Sequence, residues 1–576
     1  MSEKRRVLII GLDGATFDLL RPWMEEGRLP NLAAITRNGA SGELQSTIPH
    51  NSPPAWTSFM TGKNPGKHGV YGFTVVKPRE SYSIKISSGA IRRAETVWQI
   101  LSAEGKRSIV FNVPMTYPPD PINGLVVTGI DTPGLDSEFA YPPELRREIL
   151  NMFPEYILDV RSWAVTTAGE RRAKLLQDIM LMVEQKGKLA LHWMERQPWD
   201  LFTIVFTATD RVQHFFWRYL DGSHPLYDPQ EASLYQDAIF RVYQKIDETI
   251  DSMLALCDAR TTVIVMSDHG FGPQYKLFRI NEWLRANGFL QLRHASKATL
   301  IDAPLRSAQK HLYRGLGATI SLIRRLLSDS AKDSLKRLFP RLREKVASQV
   351  LFSLVDWSKT RAYHTAEFPG SIRINLKGRE MHGIVEPGDE YERLRQTIQS
   401  QLEKFRDPHT GQHIVERVFR REELYSGPYM DLAPDLIMHL ADQSYTIDWY
   451  LPASDGQASA VIDKLTGRYA VNCGYHRMNG ILIMSGRGVQ KGALIEDARL
   501  VDITPTVLYL LGLSLPMDFD GRVLTEALTE SFLQRSPIQY RTAPQVEITQ
   551  PQAGETYSED EAQEVAERLR MLGYLD

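Results

Sequence analysis

Seven residues in five short motifs have side chains that bind divalent cations or act as nucleophiles. They are three aspartates, three histidines and one serine, and carboxylate, imidazole and hydroxyl groups are all cation ligands. A serine hydroxyl also becomes a nucleophile when a cation or a base lowers its pKa. Together they supply enough oxygen and nitrogen ligands for two metal sites. In chain order they are Asp13, Ser52, Asp210, His214, Asp268, His269 and His476.

The first two motifs place an acid and a hydroxyl at turns. Asp13 follows the apolar run at 7–10, and its neighbouring glycines allow a tight turn that would project the carboxylate over a sheet edge. Ser52 is followed by two prolines, which are tolerated in the first turn of a helix. The positive field of a helix N-terminus would stabilise an alkoxide or a phosphoryl oxygen at Ser52. Asp13 alone is also consistent with an aspartate that stabilises a turn. Ser52 alone is also consistent with an ordinary N-cap serine.

The other three motifs combine acids with histidines. Asp210 and His214 are four residues apart, so a helix after the preceding apolar run would present both on one face. Asp268 and His269 are adjacent and are followed by glycines, and His476 stands just before another apolar run. A lone histidine is more often a core or surface residue than a ligand, but the complete set predicts two metal sites.

Short apolar runs alternate with helical patterns, which predicts the scaffold that holds these residues. The runs are uniformly apolar, as expected of strands buried on both faces, and helical patterns lie between them at 171–196 and 235–256. The alternation predicts an α/β three-layer sandwich around a mostly parallel sheet, with a ligand site beyond the carboxyl ends of the strands. The runs begin at Val7, Ser108, Leu125, Leu201, Thr262, Asp435 and Gly480.

Length and composition limit the class of protein. The chain has 576 residues, 43% hydrophobic and 24% charged, which is ordinary for a globular enzyme and more than one hydrophobic core usually supports. A net charge of −2 predicts no attraction to a nucleic-acid polymer. With two cysteines, any metal must bind through nitrogen and oxygen rather than a cysteine-rich module. The apolar run near the N-terminus is too short for a signal peptide or membrane span, so we expect a cytoplasmic protein.

Four segments are expected along the chain. Residues 1–285 and 356–525 are the two parts of a catalytic α/β core, and residues 286–355 are an inserted helical cap rich in arginine and lysine. The basic insert could contact a membrane surface or an anionic substrate, but we favour helices that pack on the core. Residues 526–576 are polar and predict a mobile tail that ends in a short helix at 559–572. The sequence carries no signal for the oligomeric state.

In this order the five motifs resemble those of the alkaline phosphatase superfamily, specifically its type I phosphodiesterase and nucleotide pyrophosphatase branch with predicted phosphohydrolase/phosphomutase relatives. The similarity extends to the segment 501–513 and the following Asp520-Gly-Arg turn, and it omits the insert and the tail. The resemblance implies an alkaline-phosphatase-like fold, two divalent metal ions, usually zinc, and a small-molecule phosphate ester or diester as substrate. Mn²⁺ and Mg²⁺ are alternatives at a carboxylate-rich site.

The resemblance also implies a role for each of the seven residues. Ser52 would attack phosphorus to give a phosphoseryl intermediate, which water would then hydrolyse with overall retention of configuration. In the arrangement of the family, the ligands would be Asp210, His214 and His476 at one metal ion, and Asp13, Asp268 and His269, with Ser52 bridging toward the pair, at the other.

Two positions depart from the pattern of that branch. Ser52 stands where the branch usually has threonine, and Phe73 stands where an asparagine commonly holds a phosphoryl oxygen. Asn51 and Asn112 are candidates for that contact, although Asn112 is equally consistent with a residue that braces a loop. The leaving group stays open among nucleotide, lipid headgroup, phosphonate and sugar phosphate.

Three other functions are consistent with parts of the pattern. A phosphomutase would use the same metal ions and the same phosphoserine, and a closed, dry site would favour it. A sulfatase needs an arginine four residues after the nucleophile, where this chain has Trp56, so that function is disfavoured. A non-catalytic metal-binding scaffold is disfavoured because every expected ligand position is retained.

Overall fold

The computed structural model describes most of the chain apart from the predicted cap. The described residues are 5–76, 84–160, 169–293, 354–365, 367–442, 444–448, 459–466, 470–543 and 556–571. The cap predicted at 286–355 therefore lies almost entirely outside the described residues. Within these ranges, no helix has an apolar stretch of the length that a bilayer crossing requires.

Strands and helices alternate along the described chain, and each predicted apolar run forms a strand. The strands are β1 Arg6–Leu12, β2 Ala40–Gln45, β3 Thr74–Val76, β4 Ile84–Ile86, β5 Ser108–Val113, β6 Gly124–Thr128, β7 Ala140–Tyr141, β8 Leu201–Phe206, β9 Thr261–Met266, β10 Gly270–Pro273, β11 Lys276–Arg279, β12 Ala362–Tyr363, β13 Ser371–Ile374, β14 Val415–Arg420, β15 Leu436–Leu440, β16 Tyr445–Asp448, β17 Val461–Ile462, β18 Gly474–Arg477, β19 Asn479–Gly486, β20 Ala498–Arg499, β21 Leu515–Pro516 and β22 Tyr540–Arg541. The α-helices are Phe17–Glu25, Pro30–Arg37, Ser52–Thr61, Pro65–His68, Val97–Ala103, Glu144–Met152, Gly169–Arg196, Ala208–Leu220, Pro229–Tyr235, Ala238–Ala255, Ile280–Ala286, Asp389–Glu403, Arg421–Leu424, Ile503–Leu510, Glu530–Arg535 and Glu559–Met571.

A nine-stranded sheet lies at the centre, in the order β20-β2-β19-β9-β1-β8-β5-β6-β7. Strands β9, β1, β8, β5 and β6 run parallel, and Leu8 of β1 pairs with Phe202 on one side and Val263 on the other. Successive side chains of β1 enter different apolar clusters, one on each face of the sheet. Helices contribute to both clusters, which confirms the predicted α/β sandwich around a mostly parallel sheet.

Two of the apolar runs differ from the parallel pattern. Strand β19 belongs to the central sheet but runs antiparallel to both of its neighbours, β2 and β9. Strand β15 lies in a separate four-stranded sheet of order β12-β13-β15-β14, in which neighbouring strands are antiparallel. Uniform hydrophobicity indicates burial but carries no information on strand direction or sheet membership.

The four-stranded sheet belongs to a separate apolar core, distinct from the two clusters on the faces of the central sheet. Its members come from residues between Phe278 and Val461, and the helix Asp389–Glu403 contributes Leu394 and Ile398. The described residues of 276–462 are referred to below as the smaller lobe. Part of the segment predicted to complete the catalytic core thus packs in a core of its own.

The end of the chain returns to the central sheet. In the helix Glu559–Met571, the side chains of Val565, Ala566 and Leu569 join the apolar cluster on one face of the sheet. Arg568 adds a hydrogen bond to the carbonyl oxygen of Ile130 at 2.9 Å. A narrow apolar stripe packs this helix against the core despite its polar average composition.

Candidate metal centre

Three neighbouring parallel strands end at one edge of the central sheet, and an acid follows each of them. Asp13 comes directly after β1, and Asp268 follows β9. Asp210 lies in the first turn of the helix Ala208–Leu220, which follows β8. Because β8, β1 and β9 are adjacent in that order, the three carboxylates converge at the carboxyl ends of the strands.

Asp210, His214 and His476 form the first cluster. Oδ2 of Asp210 lies 3.3 Å from Nε2 of His214 and 3.2 Å from Nε2 of His476. The two Nε2 atoms are 3.2 Å apart. Ligands of a tetrahedral zinc ion with bonds of about 2.0 Å are separated by about 3.3 Å. These three atoms therefore have the mutual spacing of three ligands around one such ion.

Asp13, Asp268 and His269 form the second cluster, and Ser52 lies beside it. Nε2 of His269 is 3.3 Å from Oδ2 of Asp268 and 3.7 Å from Oδ1 of Asp13. Oγ of Ser52 is 3.4 Å from the same Nε2 atom. The imidazole of His269 stacks on that of His476 with ring centres 3.7 Å apart, so the two clusters are adjacent.

Each of the three histidines points Nε2 toward its cluster because Nδ1 pairs with a backbone carbonyl. A proton on Nδ1 that is donated to a carbonyl leaves the lone pair of Nε2 facing inward, as in metal-bound histidines. The acceptors are the carbonyl oxygens of Gly474 for His214 at 2.9 Å, Gly270 for His269 at 3.0 Å and His50 for His476 at 3.3 Å.

The two acids of the second cluster are each fixed through one carboxylate oxygen. Nε1 of Trp56 donates to Oδ2 of Asp13 at 3.3 Å, and the backbone N–H of Gly14 donates to Oδ1 of Asp268 at 3.3 Å. The other oxygens, Oδ1 of Asp13 and Oδ2 of Asp268, are buried and accept no hydrogen bond within the described part of the chain. A buried carboxylate oxygen without a donor is costly, and a cation would compensate it.

Asp210 is fixed by a buried arginine. Nη1 of Arg211 donates to Oδ1 of Asp210, while Nε and Nη2 donate to Asp159 at 3.1 and 2.8 Å. The side chains of Asp210, Arg211 and Asp159 are 0, 2 and 1% exposed. The carboxylate of Asp210 is therefore held with Oδ2 toward the two imidazoles.

Burial and mutual repulsion shift the pKa values of these groups. Burial, followed by the charges of Asp268 and Asp210, raises the pKa of Asp13 well above its usual value. Burial and the charge of Asp210 raise the pKa of Asp268 to about 7. Burial lowers the pKa of His476 to about 4 and that of His269 well below 6.5, so both imidazoles are neutral near pH 7. Neutral imidazoles and crowded carboxylates are a donor set that fits divalent cations.

Ser52 is the first residue of the helix Ser52–Thr61 and not its N-cap. Asn51 is the cap, and its side-chain oxygen accepts the backbone N–H of Ser52 at 3.0 Å. The reading of Ser52 as an N-cap serine is therefore wrong. Its hydroxyl instead lies at the positive end of the helix, beside His269.

Asn112 and Phe73 make packing and bracing contacts. Asn112 has a φ of 55° in a bulge of β5, and its Oδ1 accepts a hydrogen bond from the hydroxyl of Tyr156 at 3.2 Å. Phe73 is buried in the apolar cluster on one face of the central sheet. Asn112 thus braces the end of β5 through its bond with Tyr156. Its role toward a substrate stays a prediction.

A cleft between the core and the smaller lobe opens beside the first cluster. It contacts Asn51, the N-cap residue of the Ser52 helix, and His476 of the first cluster. A ligand in the cleft would therefore be next to both residues. Among its lining residues are His50, Asn51, Tyr475 and His476 from the core and Met438 and Ile447 from the smaller lobe.

Sequence reasoning missed the residues that orient the ligands. Trp56 was noted only as a departure from a sulfatase pattern, and Arg211 was not singled out. A second charged residue directly after Asp210, in a helix that continues with Phe215, Phe216 and Trp217, was a usable signal for Arg211. His50 contributes a backbone carbonyl, which no sequence pattern reports.

Comparisons with known proteins identify the family. A comparison with curated protein sequences gives no match. Among solved structures, phosphonoacetate hydrolase from Sinorhizobium meliloti 1021 is 14% identical with a TM-score of 0.49, covering 88% of this chain and 95% of that chain. Murine ectonucleotide pyrophosphatase / phosphodiesterase 5 is 12% identical with a TM-score of 0.48, covering 91% and 100%. The family model described as type I phosphodiesterase / nucleotide pyrophosphatase matches residues 7–453, more than half of the chain. The chain therefore belongs to the type I phosphodiesterase / nucleotide pyrophosphatase family of the alkaline phosphatase superfamily.

Proposed function

We propose that this protein is a two-metal phosphoryl-ester hydrolase in which Ser52 is the nucleophile. The family comprises phosphodiesterases and nucleotide pyrophosphatases. The observation that carries the proposal is the position of Oγ of Ser52, 3.4 Å from Nε2 of His269, within a buried group of three acids and three imidazoles. A serine hydroxyl needs strong activation to attack phosphorus near neutral pH, and this group is able to hold the cations that provide it.

Two divalent cations fit the clusters. Zn²⁺ suits mixed nitrogen and oxygen ligands, and Mn²⁺ or Mg²⁺ is the alternative at the second cluster, which has two carboxylates. When bound, such ions lower the pKa of a serine hydroxyl or water and stabilise the charge on the oxygens around phosphorus. The proposed ligands are Asp210, His214 and His476 at one ion, and Asp13, Asp268, His269 and the hydroxyl of Ser52 at the other.

The chain contributes positioning and charge to the reaction. The Ser52 hydroxyl gives up its proton to solvent, Oγ forms a bond to phosphorus while the bond to the leaving oxygen breaks, and the leaving alkoxide takes a proton from solvent and departs as an alcohol. The helix Ser52–Thr61 directs its positive end toward the phosphoryl oxygens. Water then attacks the phosphoserine and releases Ser52, and two successive inversions give retention at phosphorus.

The substrate that we propose is a small-molecule phosphate ester or diester that binds in the cleft beside Asn51 and His476. The cleft is lined by Asn51, the residue directly before Ser52, so a group held there lies at the N-terminus of the Ser52 helix. The burial of Ser52, which is 4% exposed, restricts access to ligands that enter through such an opening. The proposed substrate is therefore compact, and a folded nucleic-acid polymer is not expected.

A phosphomutase is the second candidate, because the low exposure of Ser52 also suits retention of the phosphoryl group. The two functions differ in the fate of that group. A hydrolase transfers it to water, so reaction in ¹⁸O-labelled water gives labelled phosphate or monoester. A mutase returns it to the substrate and gives an isomer without label.

The test compares Ser52→Ala with Ser58→Ala in zinc- or manganese-reconstituted protein, with bis-p-nitrophenyl phosphate as substrate. Ser58 lies in the same helix, is also buried, and hydrogen-bonds to His68, outside both clusters. We expect Ser52→Ala to lose about 10³-fold or more in turnover, as for loss of a nucleophile, while most of the metal stays bound. Ser58→Ala should keep turnover within a few-fold of the wild type. Unchanged turnover in Ser52→Ala would refute the proposal.

A further inference from the structure

We propose that Arg211, held by Asp159, is the positioning residue of the metal site formed by Asp210, His214 and His476. The inference rests on the proposed function, since it assumes that these three side chains bind a metal ion. Arg211 reaches that site through Oδ1 of Asp210. Its role would be to decide which oxygen of Asp210 faces the ion.

The contact of Arg211 with Asp210 selects one carboxylate oxygen. With Oδ1 engaged by the guanidinium, Oδ2 lies 3.3 Å from Nε2 of His214 and 3.2 Å from Nε2 of His476. Rotation of the carboxylate would break the bond to Arg211 and move Oδ2 away from the two nitrogens. The guanidinium is planar, and its donors have a fixed geometry, so the orientation of Arg211 is transmitted to Asp210.

Asp159 fixes Arg211 and balances its charge. Nε and Nη2 of Arg211 donate to Oδ1 and Oδ2 of Asp159 at 3.1 and 2.8 Å, and the backbone N–H of Val160 holds Oδ1 at 2.8 Å. The negative charge of Asp159 offsets that of Arg211, with the buried Lys186 nearby, so less of the guanidinium charge acts on Asp210. Without Asp159, the full positive charge of Arg211 would compete with a cation for Asp210.

The second cluster is oriented by neutral donors instead. The indole of Trp56 holds Asp13, and the backbone N–H of Gly14 holds Asp268. Loss of Asp159 therefore removes support from one of the two sites. The inference predicts that one metal equivalent weakens while the other is unchanged.

The experiment measures metal stoichiometry and affinity in Asp159→Asn and Arg211→Lys. Lysine keeps the positive charge but lacks the planar group that bonds two acids at once. The matched control is Glu367→Gln, which breaks another buried pair, since Nε of Arg373 donates to Glu367 at 2.7 Å in the smaller lobe. Arg373 and Glu367 are 1 and 5% exposed, so this control carries a similar burial penalty.

Zinc bound per chain is measured by elemental mass spectrometry, affinity by chelator competition, and folding by circular dichroism. We expect each of the two test variants to keep one equivalent at wild-type affinity and to bind the other about 10–100-fold more weakly, as for loss of a residue that orients a ligand. Glu367→Gln should bind both equivalents as the wild type does. If Asp159→Asn does not fold, Arg211→Lys decides the question.

Two results would overturn the inference alone. One is wild-type affinity for both equivalents in the folded test variants, and the other is an equal loss of one equivalent in Glu367→Gln. A wild-type chain that binds no zinc or manganese would overturn the proposed function together with the inference, so the two failures are distinguishable.

Discussion

Replacing Trp56 with phenylalanine removes the N–H that holds Asp13 but keeps an aromatic ring in the core. Trp56 is fully buried and donates to Oδ2 of Asp13 at 3.3 Å. Its ring lies directly over Gly11, where a Cβ atom would be only 2.6 Å from Cη2 of the indole. The substitution therefore changes both the packing at the end of β1 and the orientation of one proposed metal ligand.

The expected loss in the free energy of unfolding follows from these two contacts. The smaller ring leaves a void that costs about 1 kcal/mol. Loss of a hydrogen bond to a buried carboxylate costs about 1.5–3 kcal/mol more. The free energy of unfolding of the metal-free protein should thus fall by about 2.5–4 kcal/mol. Without its anchor, Asp13 should also bind its metal ion about 10–100-fold more weakly.

Trp98→Phe is the matched control for this prediction. Trp98 is also fully buried and donates from Nε1 to Oδ2 of Asp120 at 2.9 Å, but Asp120 is additionally held by Arg92 and belongs to neither cluster. The assay combines urea unfolding of the metal-free proteins with zinc titration. Both variants should lose stability, and only Trp56→Phe should lose metal affinity. Wild-type affinity for both ions in Trp56→Phe, or an equal loss in Trp98→Phe, would contradict the assigned role of Trp56.

Two further predictions concern metal removal and pH. Zinc at 100 times its dissociation constant should raise the free energy of unfolding by about 2.7 kcal/mol per site, and a melting temperature insensitive to chelator would count against metal binding. Burial lowers the pKa of His68 to about 3 from 6.5, and the side chain bonds Ser58 and Val70 as a neutral group. Its stabilising contribution is therefore fully present above pH 6.5 and is lost as the pH falls from 6.5 toward 3, at about 1.4 kcal/mol per pH unit. The difference in urea stability between wild type and His68→Gln should shrink over that range, and a pH-independent difference would refute this assignment.

Local sequence was sufficient for the strands and for the types of ligand. The apolar runs predict each strand of the parallel centre, because a strand buried on both faces must be apolar throughout. Asp13, Asp268 and the Asp210–His214 pair all follow such runs, so their position at the strand ends could be read without the structure. The polar composition of the tail gave no sign that three apolar residues of its final helix pack against the core.

The grouping of those ligands depended on the tertiary structure. His476 is 266 residues from Asp210, and the antiparallel pairing of β10 with β18, together with the bond between His214 and Gly474, brings it to that acid. From the residues alone the division into two clusters was open, and it came from the family resemblance. The contacts that orient each carboxylate, from Trp56 and Arg211, were equally invisible in the sequence. A sequence pattern reports which faces are buried and where turns occur, whereas distances between remote segments depend on strand order and packing, which no local pattern encodes.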